Sequence, residues 1–295
     1  MIYFKVRGNL GNVLFQYATA LSAGVQCRAF TDDPEWGLKE HTMRVMMPGL
    51  EVVQKLPPHV KRFVERRFAY DALPDFGNED VLLEGYFQSE RYFDERRVRS
   101  AVAVGPAEER DLKAKFPQPF EYEDITSIHV RRGDYLKLPH RHPFVGKDYF
   151  RCALKRMPEV RHFLVFSNDV PWCRKFFLQE FPDREFFFSE GLSPSDDMRL
   201  QSLCRNHIIS NSSFSWWGAW LDPNPDKRVI APSQWFGYDF EKRGEDWQDI
   251  YAKGTEIVEN PSPLRLRLQA RYTHLIDAVR WRLWKYHRSG CAIDG

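Results

Sequence analysis

Two adjacent arginines followed by glycine and aspartate dominate the stretch His129-Val130-Arg131-Arg132-Gly133-Asp134-Tyr135. An arginine fork grips two phosphate oxygens at once, and glycine admits close backbone approach, so this turn suits a phosphorylated ligand. A surface turn in which Arg and Asp pair with each other is the competing reading. A second cluster, Ser167-Asn168-Asp169, carries an amide and a carboxylate that could read a base or ribose, or cap a following helix. The third is Asn211-Ser212-Ser213-Phe214-Ser215-Trp216-Trp217-Gly218-Ala219-Trp220. Small hydroxyl residues opening an aromatic helix leave backbone N–H groups at a helix N-terminus, a natural anion site. The aromatics at 216, 217 and 220 suit core packing at least as well as a ligand platform. Three polar clusters of this kind in one sheet point to a nucleoside diphosphate.

The elements that must position these clusters are short apolar strands alternating with helices. Strands are expected over Ile2–Val6, Val25–Phe30, Val81–Phe87, Ser127–Val130, His162–Phe166, Glu185–Phe188, His207–Ser210 and Arg228–Ala231. Helices are expected over Val13–Ala23, Lys147–Met157, Trp172–Leu178, Asp196–Cys204 and Phe214–Leu221, with charged helical stretches between Phe87 and Lys115. Such alternation predicts an α/β fold with parallel sheets, whose ligands lie at the carboxyl ends of strands. Residues 31–80 are rich in Pro and charge without a clean period and read as irregular or partly helical. Phe116-Pro117-Gln118-Pro119 is the best break between domains. The expected division is 1–118, 119–260 and a tail, 261–295.

Composition narrows the classes. The chain has 295 residues, with 43% hydrophobic and 28% charged side chains, an ordinary globular balance. A net charge of +2 disfavours polyanion binding by the whole chain. No apolar run reaches the ~18 residues of a membrane span, and Met1–Val6 lacks a signal-peptide pattern. Five separated cysteines, Cys27, Cys152, Cys173, Cys204 and Cys291, argue against a disulfide scaffold or cysteine zinc site and for a reducing, cytoplasmic setting. Of the basic residues 29 are Arg, a bias compatible with a phosphorylated ligand and equally with genome base composition. Gly8-x-x-Gly11 is not a dinucleotide fingerprint and no Walker sequence occurs, which disfavours a dehydrogenase or a P-loop kinase.

The three clusters together resemble the signatures of the alpha-1,2-fucosyltransferase family. Gly11-Asn12-Val13-Leu14-Phe15-Gln16-Tyr17, Gly85-Tyr86-Phe87-Gln88-Ser89-Glu90 and Ile230-Ala231-Pro232 before Trp235-Phe236 are similar as well, in order over residues 1–236. The resemblance implies an inverting, bacterial-type glycosyltransferase that uses GDP-L-fucose and acts on the 2-hydroxyl of a terminal galactose or similar sugar. It implies two facing Rossmann-like halves (GT-B-like), with the nucleotide mainly in the second, and no required metal or other cofactor. The acceptor would be an oligosaccharide or lipid-linked glycan, partly shaped by residues 31–80. A non-catalytic sugar-nucleotide or glycan-binding protein is the alternative.

By that resemblance Arg131 contacts the diphosphate and stabilises the leaving group, His129 lies near the nucleotide, and Asp134 or Glu90 is a candidate base. Gly11, Asn12 and Gln16 would meet the donor from the first half. Arg132, Asn168, Asp169, Ser212, Ser213, Phe214 and Trp216 would complete its site, with Arg132 alternatively orienting Asp134 or the neighbouring strand. The chain departs from the family at Val13, where Gln is usual, at Asn9, where Gly is usual, and at Asn168, where Asp is common. No metal ligands are assigned: Asp32-Asp33 and Asp196-Asp197 fit turns or helix starts, and His140-Arg141-His142 lacks a third clustered ligand. In the tail, Leu264, Leu268, Tyr272, Leu275, Val279, Leu283 and Tyr286 recur at helical spacing among arginines, with Trp281 and Trp284. A basic helix of this kind could lie on an anionic membrane at the inner face or dock on the body. Its seven basic and two acidic residues leave 1–260 net acidic, so nucleic acid is not an expected partner.

Overall fold

Strands covered on both faces need apolar side chains on both, and that is how most of these strands read. The computed structural model describes residues 1–133 and 135–259, and beyond them only Leu268, Tyr272 and Ile276, of which all three are helical. The tail helix expected over 263–288 otherwise lies outside the described residues.

The first sheet contains β1 (Ile2–Lys5), β2 (Cys27–Phe30), β3 (Val52–Val53), β4 (Lys61–Val64) and β5 (Val81–Glu84) in the order β3-β2-β1-β5-β4. Helices α1 (Leu10–Ala23) and α2 (Trp36–Met46) connect its early strands, and α3 (Glu95–Val102) and α4 (Pro106–Lys115) follow β5. The second sheet contains β6 (Thr126–Val130), β7 (His162–Ser167), β8 (Glu185–Phe188), β9 (Asn206–Ile208), β10 (Val229–Pro232) and β11 (Glu256–Val258). Its order is β11-β10-β9-β6-β7-β8, with α5 (Lys147–Lys155), α6 (Val170–Glu180), α7 (Pro194–Ser202), α8 (Ser213–Leu221) and α9 (Tyr238–Arg243) between the strands. Every pairing in both sheets is parallel. The expected α/β fold of two Rossmann-like halves is therefore present.

Two expectations are corrected. The strand expected to run to Phe87 stops at Glu84, because Phe87 adopts a left-handed φ of 50°, which no strand accommodates. Within 31–80 the chain forms α2, β3 and β4, of which β4 is an edge strand with Lys61, Arg62 and Val64 exposed.

Each sheet reverses its winding once, between β1 and β5 and between β6 and β9. Ligands of open parallel sheets sit in the crevice at the carboxyl ends of strands flanking such a reversal. Helices α1 and α8 begin at these two crevices and pack against each other. Trp217, fully buried, donates its indole N–H to the Gly11 carbonyl at 2.9 Å, and Phe15 lies 4.4 Å from Trp216 and 5.1 Å from Trp217 between ring centroids. Residues 215–221 of α8 are buried throughout, as a helix apolar on all sides must be. They join a core that unites the first half with Met198, Ile209, Ala231 and Trp235 of the second, so α8 belongs to the second half by chain and packs against both. A separate core, with Tyr149, Phe150, Phe163, Phe176 and Phe177, lies under α5 and α6.

Candidate functional site

The second crevice is built from β6 and β9. His129 is the fourth residue of β6 and 5% exposed. Its Nδ1 shares a 2.7 Å hydrogen bond with Ser210 Oγ at the end of β9, and its ring lies 5.4 Å from Phe214. Burial, reinforced by the Arg131 charge, pushes the imidazole down to about 3, so it is neutral near pH 7. Arg131 is half-buried, its guanidinium 5.7 Å from the Tyr135 ring centroid. Tyr135 Oη donates to the Asn211 carbonyl at 3.0 Å, which joins the loop after β6 to the loop after β9. Asn211, 2% exposed, donates to the carbonyls of Pro143 and Trp235, both at 3.0 Å, and so ties three loops together.

The two arginines have separate roles. Arg132 is sandwiched by Trp172 and Phe144, at 4.1 and 4.7 Å, and its Nε donates to Asp169 Oδ2 at 2.8 Å. Its backbone N–H donates to Asn168 Oδ1 at 2.9 Å. Arg132 therefore fastens β6 to the end of the neighbouring β7. Asp134, the carboxylate expected beside it, lies outside the described residues.

Ser212, the N-cap residue just before α8, makes no side-chain capping bond, so the amides of the first turn are directed at the crevice without that cover. At its far end Arg99 donates to the carbonyls of Trp220 (2.7 Å) and Leu221 (3.1 Å), and Lys227 donates to those of Trp220 and Asp222. Cations at the C-terminus complement the helix dipole, whose positive end faces the crevice.

The first crevice meets this helix closely. A Cβ on Gly11 would stand 2.5 Å from the Ser213 carbonyl carbon and 2.6 Å from the Phe214 nitrogen, so only glycine permits the approach. Asn12 Oδ1 accepts from Ser213 Oγ and from Gln88 Nε2, each at 2.7 Å. Gly11, Asn12, Ser212, Ser213, Phe214, His129 and Arg131 are thus brought to one place, with Arg132 and Asn168 on the neighbouring strand ends.

Three of the residues expected to contact the ligand have polar atoms already engaged within the protein. Gln16, 1% exposed, exchanges two 3.1 Å hydrogen bonds with the backbone of Arg7 and shapes the loop after β1. Asp169 gives one oxygen to Arg132 and the other to the Trp172 amide as the cap of α6. Trp216, 2% exposed, donates its indole N–H to the Ile250 carbonyl at 2.6 Å and packs in the core. Glu90 accepts from Trp220 Nε1 and the Lys253 amide and has a structural duty as well.

Sequence reasoning placed Asn211 in a polar cluster without singling it out, and missed Glu65 and the linking role of Gln88. Glu65 follows β4, accepts from the amides of Tyr86 (2.7 Å) and Phe87 (3.0 Å), and is pushed by burial up to about 7. Asp197, bonded to Ser189 Oγ at 2.5 Å, is likewise pushed up by burial to about 6. Among the described residues, no group of three or more His, Cys, Asp or Glu is placed to hold a metal ion. No helix of the described residues is long and apolar enough to cross a membrane.

A family model described as glycosyl transferase family 11 matches residues 60–256. The chain is 40% identical over 122 residues to the O-antigen biosynthesis glycosyltransferase WbnK of Escherichia coli, covering 39% of this chain and 40% of WbnK. It is 26% identical over 269 residues to an alpha-1,2-colitosyltransferase of Escherichia coli, covering 80% of this chain and 92% of that one. It is 28% identical over 246 residues to galactoside 2-alpha-L-fucosyltransferase Sec1 of Mus musculus, covering 75% of this chain and 64% of that protein.

Proposed function

The chain belongs to glycosyl transferase family 11, and from that premise we propose that it transfers L-fucose from GDP-L-fucose to the 2-hydroxyl of a galactose-terminated glycan, with inversion and without a metal ion. The observation that carries this reading is the convergence of Arg131, neutral His129 and the α8 N-terminus at the β6–β9 crevice. A diphosphate fits there because a fixed cation and helix amides both favour negative charge.

In this reading the acceptor oxygen attacks the anomeric carbon from the face opposite the nucleotide. The bond from that carbon to the β-phosphate oxygen breaks, GDP leaves with the electron pair, and the acceptor hydroxyl gives up its proton. Arg131 and the α8 amides stabilise charge as it grows on the leaving phosphate. His129, with Nδ1 held by Ser210, meets the donor as a neutral hydrogen-bonding group. Asp134 is retained as the candidate base. The donor is assigned to 119–260 and the acceptor to 1–118.

A second donor is favoured by one observation, the 80% coverage by a colitosyltransferase. Colitose is fucose without its 3-hydroxyl, so the two donors differ by a single polar contact. The basic tail, 261–295, suits an acceptor presented at an anionic membrane; co-sedimentation of the full chain with anionic but not neutral vesicles tests that placement.

GDP release from GDP-fucose, with and without EDTA and with lactose or lacto-N-biose, tests the main reading. Turnover should depend on acceptor, resist EDTA, and fall ~10²–10³-fold in Arg131→Ala, equivalent to about 3–4 kcal/mol of transition-state stabilisation. Absence of GDP-fucose binding overturns it, and preferential turnover of a colitosyl donor replaces fucose with colitose.

A further inference from the structure

The strongest unexplained feature outside the donor crevice is the loop after β5. Phe87, 1% exposed, is the one non-glycine with positive φ among the described residues. A bulky side chain in that region is costly and persists only where surrounding contacts impose it. The imposing group is Glu65. Its own amide donates to the Glu84 carbonyl at 2.9 Å, continuing the β4–β5 register, and its two oxygens take the successive amides of Tyr86 and Phe87. Gly85 leaves the room: a Cβ there would stand 2.4 Å from the Glu65 Cβ.

The loop so held ends in Gln88, 6% exposed, whose amide reaches Asn12 Oδ1. The same oxygen accepts from Ser213, the first residue of α8. Two sets of hydrogen bonds, joined through the Phe87–Gln88 peptide, therefore link Glu65 in the first half to the helix N-terminus of the second.

We propose that Glu65 is a positioning residue for transfer: by clamping the Tyr86 and Phe87 amides it fixes Gln88, and through Asn12 and Ser213 it sets the α8 first turn against the acceptor half. The proposal rests on the fucosyl-transfer reading for its kinetic consequences only. Its physical content is that a carboxylate remote from the leaving group controls the relative placement of two substrate sites, a term to which bond-forming steps are steep.

The clamp needs two acceptor oxygens. Protonation of Glu65 replaces one with an O–H, which faces an amide N–H donor to donor. Burial sets its titration near 7; the Glu245 carboxylate adds to the upward push, the two amides oppose it, and the Tyr92 phenol faces the same carboxylate. Wild-type kcat should therefore decline below about pH 7 more steeply than that of Glu65→Gln, whose clamp is broken at every pH.

The test compares wild type, Glu65→Gln, Gln88→Ala and the double variant. Glu65→Gln should lower kcat about tenfold to a hundredfold while the GDP-fucose KM stays within about twofold, and should lose the wild-type acid limb. Gln88→Ala, which leaves Glu65 intact and serves if Glu65→Gln does not fold, should reproduce the kcat loss. The double variant should be no worse than the worse single variant, since both cut one linkage. Amide hydrogen exchange supplies a readout that needs no turnover: both single variants should accelerate exchange at 213–215 as well as at 85–88, with β6 and β7 unchanged. Acceleration confined to 85–88, strictly multiplicative kcat losses, or wild-type kcat and pH profile in Glu65→Gln would each overturn the proposal. Wild type that turns over no fucosyl donor sinks the transfer reading instead, and the exchange pattern then judges the clamp alone.

Discussion

His207 on β9 and His129 on β6 each share a hydrogen bond with a serine of the other strand. His207 Nδ1 meets Ser127 Oγ at 2.8 Å, and its Nε2 meets Asp222 Oδ2 at 3.0 Å. These are the partners and order of a hydrolase triad, yet Ser127, His207 and Asp222 are 1%, 0% and 3% exposed. No substrate reaches them, so the string fastens β6 and β9 to the turn after α8. His129 and Ser210, at the crevice end of the same two strands, have a similar 2.7 Å bond and Arg131 in place of a carboxylate. Position at the crevice end of the strands, rather than completeness of the string or exposure, sets this pair apart, since Ser210 is itself fully buried. Burial rather than partner sets charge at both, since His207 is held down despite Asp222; His129, with no carboxylate partner among the described residues, presents a diphosphate with a neutral donor or acceptor beside the Arg131 cation.

The largest effect should come from breaking the enclosed string. Asp222→Ala strands His207 Nε2 and removes the carboxylate facing Lys227, a lysine already pushed down to about 8 by burial. A loss of ~3–5 kcal/mol in urea unfolding is expected, whereas a loss under 1 kcal/mol would mean that the string is incidental.

Acid sharpens the contrast. Both histidines titrate lower folded than unfolded, so below about pH 6.5 the unfolded chain binds more protons and stability falls as pH falls. His129→Gln should remove up to about 1.4 kcal/mol per pH unit of that decline, read as a difference in urea midpoints that widens toward pH 4. Glu65 and Asp197 work in the other direction, since their folded values lie above the unfolded ones and their contribution weakens as pH rises from about 4 to 7. The His129→Gln difference isolates one histidine from these carboxylates.

The smallest and most discriminating pair is Ser127→Ala against Ser210→Ala. Each should cost about 1 kcal/mol of stability, but only Ser210→Ala should also raise the GDP-fucose KM. Equal KM values for the two would erase the distinction between the strand ends.

Sequence reading recovered the second half well because its strands are buried on both faces and therefore carry uninterrupted apolar runs. Glu185–Phe188 is the same in both, β6 and β7 shift by a residue at one end, β10 by one at both ends and β9 by one and two, while the short β11 was not anticipated. It failed where burial does not write a pattern: β3 has two residues, and β4 exposes Lys61, Arg62 and Val64 at a sheet edge. The site followed the same rule. Clusters at strand ends were visible as residue types, and His129, Arg131, Asn12 and Ser213 do converge. What local sequence could not reveal was which polar atoms are already engaged across the fold, as those of Gln16, Asp169 and Trp216 are. Glu65 was hidden for the converse reason, since its partners are backbone amides 21 and 22 positions away.

The dual allegiance of α8 bears on how the chain comes to exist. Synthesis releases residues 1–118 well before Trp216, Trp217 and Trp220 emerge, so the early half must wait with Phe15 and Phe93 lacking the aromatic partners they stack against at the end. That nascent intermediate carries a sticky, unfilled face, and a fragment cut at Phe116–Pro119 would carry it permanently. Supplied in trans, the remaining piece should act as its solubilising partner, which makes this a two-piece protein only when both pieces are made together.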